Sequence, residues 1–304
     1  MILCVGGAHL DVRARLLDPA VLGSSNPAHT DRAVGGVAAN VARSLAALGH
    51  EVALASVVGL DPYGDLVAES LRRDGVDVSL VERHPVQPTA AYTAVVGPDG
   101  ELVIGLADME VYDDPRAGWV GDVSAAAAGA DVVVIDANLY GEVLSAVTAA
   151  ADGPVVADPV SVAKAPRLAP VLDRIAVLAP DRAEAAALAG VATEAMSGVR
   201  RAAAVLRSRG VGTVLVTLGS DGVFFDDGDV QRVVPPIPPG RIEDVTGVGD
   251  ALVAGYVHGL RSGAADPVLL GRAAASLALE SAGSRIEGLG RHALEARAAL
   301  GPAD

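Results

Sequence analysis

The chain has 304 residues, 51% of them hydrophobic, and a formal net charge of −15 from 38 acidic against 23 basic side chains. That length fits one large or two small domains, the apolar fraction excludes a disordered chain, and the acidic balance argues against a nucleic-acid partner. One cysteine, Cys4, excludes an internal disulfide framework, and the six histidines offer no pair at helical metal-ligand spacing.

The first residues enter a strand-like run, Ile2–Val5, with no basic segment before it, so the start does not read as a signal peptide. Leu10 to Ala33 is irregular, with Arg13, Arg15 and Leu17 set among apolar residues. An Ala-rich helical segment, Val37–Leu48, ends at Gly49 and is followed by a strand, Val52–Val57. Thr89–Val96 and Leu102–Leu106 are extended runs joined by Gly97-Pro98-Asp99-Gly100, a hairpin signal. Short buried strands are expected at Val132–Ile135, Val155–Ala157, Ala176–Leu178 and Val214–Thr217. Between them lie helical patterns near Glu142–Ala151, Arg182–Ala189 and Glu194–Arg209. A second hairpin is expected from Gly222–Phe225 and Val230–Val234, before the Pro-rich Pro235–Pro239. This alternation predicts an α/β fold with a doubly wound, mostly parallel sheet. It is read as a single domain over residues 1–304, with a small β lid from about residues 10–33 and 88–108. No apolar run approaches about 18 residues, so no membrane partner is expected and the protein reads as cytoplasmic.

Two segments carry chemistry. Asp244-Val245-Thr246-Gly247-Val248-Gly249-Asp250 precedes an apolar helix, Ala251–Leu260. Its glycines permit a tight turn, and the helix start offers free amides and the positive end of a dipole to an anion. Asp250 there is either a first-turn acid that caps the helix or a base beside a phosphoryl cradle. The second segment, Gly35-Gly36-Val37-Ala38-Ala39-Asn40, sets paired glycines before a helix and an amide one turn in that can hydrogen-bond sugar hydroxyls. Lysine occurs once, at Lys164, and a compact ammonium is harder to replace by arginine at a charged site than on a surface. A phosphate-binding lysine loop of the Walker type is absent.

Together these segments resemble the two signatures of the ribokinase-like (PfkB) carbohydrate and nucleoside kinases. Gly6-Gly7-Ala8-His9-Leu10-Asp11, Ala179-Pro180-Asp181-Arg182-Ala183-Glu184 and Thr217-Leu218-Gly219-Ser220-Asp221-Gly222 match further family segments in order. Within the family the chain is most similar to the pseudouridine kinases, on Ser25-Asn26-Pro27, Asp136-Ala137-Asn138-Leu139 and Asp158-Pro159-Val160-Ser161 with Lys164. It departs from the family at Asp181, where Asn is usual, at Val245 and Val248, and at Ala39, where pseudouridine kinases tend to carry Arg. The resemblance implies a ribokinase-like fold and transfer of the ATP γ-phosphoryl group to the 5'-hydroxyl of free pseudouridine. Another sugar or nucleoside acceptor, or a non-catalytic binding homologue, are the alternatives. It implies Asp250 as base, with the amides of Gly247, Val248 and Gly249 around the transferring group. Asp11, Asn26, Gly35, Gly36, Asn40, Asn138 and Lys164 would hold the nucleoside, and Asp181, Thr217, Gly219, Gly222 and Thr246 the nucleotide. Glu184 would organise Mg2+ through water, with strong magnesium dependence expected from the net charge. Dependence on a monovalent cation such as K+ is left open, and a homodimer is implied.

Overall fold

β1 (Ile2–Val5) leads into a hairpin of β2 (His9–Leu16) and β3 (Ala28–Gly35), and then α1 (Val37–Ala47). β4 (Val52–Gly59), α2 (Pro62–Arg73) and β5 (Asp77–His84) follow, before a second hairpin of β6 (Ala91–Val96) and β7 (Leu102–Asp108). Next come α3 (Ala117–Ala128), β8 (Val132–Asp136), α4 (Gly141–Ala150), β9 (Val155–Asp158) and a 3-10 segment, Ala165–Arg174. β10 (Val177–Leu178), α5 (Arg182–Ala189), α6 (Met196–Ser208) and β11 (Thr213–Thr217) continue the alternation. β12 (Val223–Asp226), β13 (Gln231–Val234), α7 (Val248–Ser262), α8 (Pro267–Ala278) and α9 (Arg291–Ala298) are the remaining elements. The structure, a computed structural model, describes residues 1–301; residues 302–304 of the expected domain lie outside the described residues.

Nine strands form one sheet in the order β13-β12-β11-β10-β9-β8-β1-β4-β5. All neighbours from β5 to β11 pair in parallel, and β12 and β13 add an antiparallel edge. Such strands are covered on both faces, and β4 is accordingly buried along its whole length, Val52–Gly59. Residues of α3, α4, α5 and α6, including Trp119, Leu144, Leu188 and Leu206, build the core on one face. Residues of α1, α2, α7 and α8, including Leu45, Leu71, Val257 and Val268, build it on the other. From β1 the chain goes outward through β4 and β5, then returns to β8 on the opposite flank. The reversal between β1 and β8 is where an open α/β sheet leaves a crevice at its carboxyl ends.

A separate four-stranded sheet, β3-β2-β6-β7, is built from the two hairpins. The stretch read from sequence as irregular is a regular antiparallel pair, with Leu16 opposite Ala28 and His9 opposite Gly35. Several boundaries also differ from the sequence reading, by one to three residues. α6 starts at Met196 and β13 at Gln231, while α7 starts at Val248, three residues early, so Asp250 lies inside the helix. α2 and β5 fall where the sequence reading placed no element. α2 has a clear start, since the Asp61 carboxylate accepts the Gly64 amide at 2.8 Å and Pro62 takes the first position. Among the described residues no helix is long and apolar enough to cross a membrane.

Candidate active site

The strand ends at the reversal carry a row of polar residues. The β8–β9 register sets Asp136 beside Asp158. Asp136 is fully buried, and a buried carboxylate is costly unless hydrogen-bonded. Its Oδ2 accepts the amides of Gly7 and Ala38, each at 2.9 Å, and its Oδ1 accepts the amide of Asn138 at 2.8 Å. Hydrogen bonds to a charged group contribute about 1.5–3 kcal/mol each, so three of them offset much of the desolvation. The effect is to tie the end of β1, the start of α1 and the end of β8 to one atom group. Gly36, the residue before α1, has φ 103° and approaches Gly7 so closely that a Cβ would lie 2.3 Å from its carbonyl oxygen. Only glycine meets both conditions.

α7 begins differently. Gly247 stands before it at φ 74° in the left-handed region, and no side chain caps the helix. Among the described residues no acceptor takes the amides of Val248, Gly249 or Asp250; the first helical bond is Ala251 to the Gly247 carbonyl at 2.9 Å. Asp250 is therefore not the cap. Its Oδ2 instead accepts the Asn40 Nδ2–H at 2.7 Å, joining α7 to α1. Partial burial pushes the Asp250 carboxyl up to about 6, against the lowering effect of Asn40; the Asp136 charge adds to the rise, while Arg43 and His9 oppose it. Asn40 is buried, and among the described residues its Oδ1 has no hydrogen-bond partner.

Asp11, Gly35 and Gly36 lie at this same end. Asp11 on β2 pairs with His9, Nε2 to Oδ1 3.3 Å, and its carboxylate rests against Gly35. Tyr112 holds the turn beneath: its hydroxyl accepts the Ala8 amide at 2.9 Å and donates to the Ala8 carbonyl at 2.8 Å. On the far side of Asp136, Lys164 Nζ donates to Asn138 Oδ1 at 2.5 Å, while the Asn138 Nδ2 is buried without a partner. Lys164 is partly buried, and that burial lowers its pKa against the raising pull of Asp136. The lone lysine is thus in the row, not on the open surface. Asn26 is not. It lies beyond the β2–β3 ladder, at the end away from Gly35, and its amide is taken up by the loop itself. It accepts the Val21 amide at 2.8 Å and donates to the carbonyls of Val21 and Ser24, both at 3.0 Å.

The residues read as nucleotide-binding continue the row. Asp181 and Thr217 form a bridge where β10 and β11 end, and Gly219 and Gly222 flank the short turn after β11. Asp181 and Glu184 form a capping box on α5. The Asp181 Oδ1 accepts the Glu184 amide at 2.7 Å, and the Glu184 Oε2 accepts the Asp181 amide at 2.8 Å. An Asp serves this cap as well as an Asn, which accounts locally for the departure from the family pattern. Thr246 is exposed, with its amide and hydroxyl both donating to Asp244 Oδ1. Burial pushes Glu184 up to about 7, and burial with the charges of Asp250 and Glu184 pushes Asp158 well above the usual carboxylate range. These carboxyls are therefore held toward their neutral form until a cation is there to favour the charged one. No group of three His, Cys, Asp or Glu residues among the described residues is placed to hold a metal alone. The donor set suits a hard divalent cation that keeps most of its ligands as water and phosphate oxygens, as magnesium does.

Three residues were missed as site residues by the sequence reading. Asp136 and Asp158 stood in the segments that carry the resemblance, but neither was assigned a role. Asp158 also sets a strained turn: its Oδ1 accepts the Val160 amide at 2.7 Å, Val160 has φ 68°, and Ser161 donates to the Pro159 carbonyl at 2.7 Å. A β-branched residue there costs on the order of 1–3 kcal/mol, and such strain gathers at functional sites. The third is Arg43, one turn beyond Asn40 on α1.

Comparison with known proteins gives the same frame. The family described as pfkB family carbohydrate kinase matches residues 1–288. The pseudouridine kinase of Escherichia coli (strain K12) is 30% identical over 255 residues, covering 84% of this chain and 82% of that protein. A solved carbohydrate kinase from Agrobacterium tumefaciens superposes with a TM-score of 0.85 at 34% identity, over 99% of this chain and 97% of the other. Arabidopsis thaliana ribokinase, solved in complex with ribose and ATP, superposes with a TM-score of 0.83 over 98% of each chain; at 24% identity it supports the ribokinase-like fold.

Proposed function

The chain belongs to the pfkB family of carbohydrate kinases, and from that premise we propose that it transfers the γ-phosphoryl group of ATP to the 5'-hydroxyl of free pseudouridine. The observation that carries the phosphotransfer is Asp250 beside the unpaired amides at the start of α7. The acceptor hydroxyl gives its proton to the Asp250 carboxylate as its oxygen bonds to the γ-phosphorus. The bond from that phosphorus to the β,γ-bridging oxygen breaks, and ADP leaves. The amides of Gly247, Val248 and Gly249 face the charge that spreads over the transferring group, where fixed donors are most effective. Asn40 orients the base, and its unpartnered Oδ1 is free to accept from a sugar hydroxyl. Asp11, Gly35 and Gly36 border the sugar, while Asp181, Thr217, Gly219, Gly222 and Thr246 border the nucleotide. Glu184, with Asp158 beside it, would hold magnesium through water, and the ion would supply charge screening for the phosphates.

The choice of acceptor rests on the Lys164–Asn138 pair and on the likeness to the Escherichia coli enzyme. The paired ammonium and the free Asn138 amide offer donors to the carbonyl oxygens of a uracil ring. Leu102, Val103, Ile104 and Leu106 on β7 are exposed, which supports the reading that the four-stranded sheet closes over the sugar and pairs with a second copy in a homodimer. The test is turnover of purified protein with ATP and magnesium against pseudouridine, uridine, adenosine, ribose and fructose. Pseudouridine is expected to give the highest kcat/KM. Preference for ribose or fructose would overturn the acceptor and leave the phosphotransfer in place.

A further inference from the structure

Arg43 is only 7% exposed, and among the described residues its Nε and Nη2 have no hydrogen-bond partner. Burying part of a guanidinium without hydrogen bonds is expensive, so the three N–H donors on these two atoms call for an acceptor. The nearest carboxylate is Asp74, just after α2, whose Oδ2 stands 3.9 Å from Arg43 Nε, beyond hydrogen-bond reach. That Oδ2 is itself buried and unpartnered, whereas Asp74 Oδ1 is taken by Arg285 Nη2 at 2.6 Å. These groups line a cavity of about 510 Å³ between α1, the end of α2 and the segment around Arg285, with Arg73 and Glu287 at its rim. Three guanidiniums face two carboxylates there, and Arg73 is shared with Glu69 outside the cavity at 3.6 Å. Among the groups that line the cavity, arginines outnumber carboxylates by one, in a protein of net charge −15.

The open valences are of two kinds. Arg43 lacks an acceptor, and Asp74 Oδ2 lacks a donor. Simple anions such as sulfate satisfy the first and are repelled by the second. A protonated oxyanion satisfies both, through P–O oxygens accepting from Arg43 and Arg285 and a P–OH donating to Asp74. Inorganic phosphate keeps at least one proton at neutral pH, whereas sulfate has none. We infer that this cavity is a binding site for a protonated oxyanion of the phosphate class, separate from the amides at the start of α7. Its buried arginine lies one helical turn from Asn40, close enough for the Arg43 charge to act on Asp250 and Asp11.

The test is inorganic phosphate titrated into the full chain with a non-hydrolysable ATP analogue and magnesium present to occupy the amides of α7, read by calorimetry and by 31P resonance. One phosphate is expected to bind beside the analogue, more tightly than sulfate. Arg285→Gln, at an exposed side chain that folding does not require, should weaken it about tenfold by removing one charge-assisted hydrogen bond. Arg43→Gln should abolish it, and Asp74→Asn should shift the preference toward sulfate. No phosphate uptake, or uptake that Arg285→Gln leaves unchanged, overturns the site.

Discussion

The starts of α1 and α7 are built from the same parts and used in opposite ways. Each follows a glycine at positive φ, at 103° for Gly36 and 74° for Gly247, and neither has a side-chain cap from that residue. At α1 the chain supplies its own anion: Asp136 takes the Ala38 amide, and the Gly7 carbonyl takes the Ala39 amide at 3.2 Å. At α7 the corresponding amides remain unpaired among the described residues. A helix start is an anion site in both places, but one is closed by folding and the other is open to a ligand. Asn40 and Asp250 then join the two helices across that boundary. The lesson is that a glycine-led helix start says little about function until its amides are accounted for one by one.

The largest expected effect breaks the comparison at its open end. Asp250→Asn keeps the shape of the side chain and removes the proton acceptor. Because Gly247 is the residue before the helix, no cap is lost. A positioned base contributes roughly a hundred- to ten-thousand-fold in rate, or about 3–5 kcal/mol of barrier. The variant should bind both substrates and show kcat reduced by at least about a hundredfold, measured by coupled turnover and equilibrium binding. Its stability at neutral pH should be unchanged or higher, since the fold penalises the ionised form of a carboxyl raised to about 6. A fall in kcat of less than about tenfold, with binding preserved, would mean that another group takes the proton.

The same substitution at the closed end should act on stability instead. Asp136→Asn leaves one oxygen for three amides and turns an NH2 toward at least one N–H. An unmade buried bond and weakened charge-assisted ones predict a loss of about 2–4 kcal/mol, read from the urea midpoint. If Asp136→Asn is as stable as the parent chain, Asp136 is not what closes α1.

The difference between the two ends was partly legible in the sequence. The βαβ alternation gave the parallel sheet, because β1, β8 and β9 are short apolar runs bounded by turn residues. The glycines of both helix starts and the two residues that meet across them, Asn40 and Asp250, were also in view. What sequence could not supply was pairing at a distance. Asp136 reaches Gly7 and Ala38 from 129 and 98 residues away, and nothing local to Val132–Asp136 signals that its last residue will be an internal anion. Arg43 was hidden for the opposite reason. It sits in an Ala-rich helix where an arginine reads as solvated, and its burial depends on α2 and on the segment around Arg285. Asn26 stands apart from the row because adjacency in sequence to the glycine motif is not adjacency in a hairpin, whose ladder carries it to the far end.

The smallest effect concerns the joint between the two helices. The Asp250 base works only when ionised, so kcat/KM should fall as pH drops through about 6. Three neighbours oppose burial there, since Asn40, Arg43 and His9 favour the carboxylate, while Asp136 acts with burial against it. Asn40→Ala removes the 2.7 Å donor and leaves burial and Asp136 less opposed, so the acid limb should move to higher pH. The variant also loses a group that borders the sugar, which lowers kcat/KM at every pH. The height of the profile therefore cannot decide the matter, but the position of its limb can. A limb that stays in place while the whole profile drops would make Asn40 a substrate contact only. A limb that rises shows the Asn40 amide favouring the ionised Asp250 through its one hydrogen bond, with the carboxylate left able to take a proton.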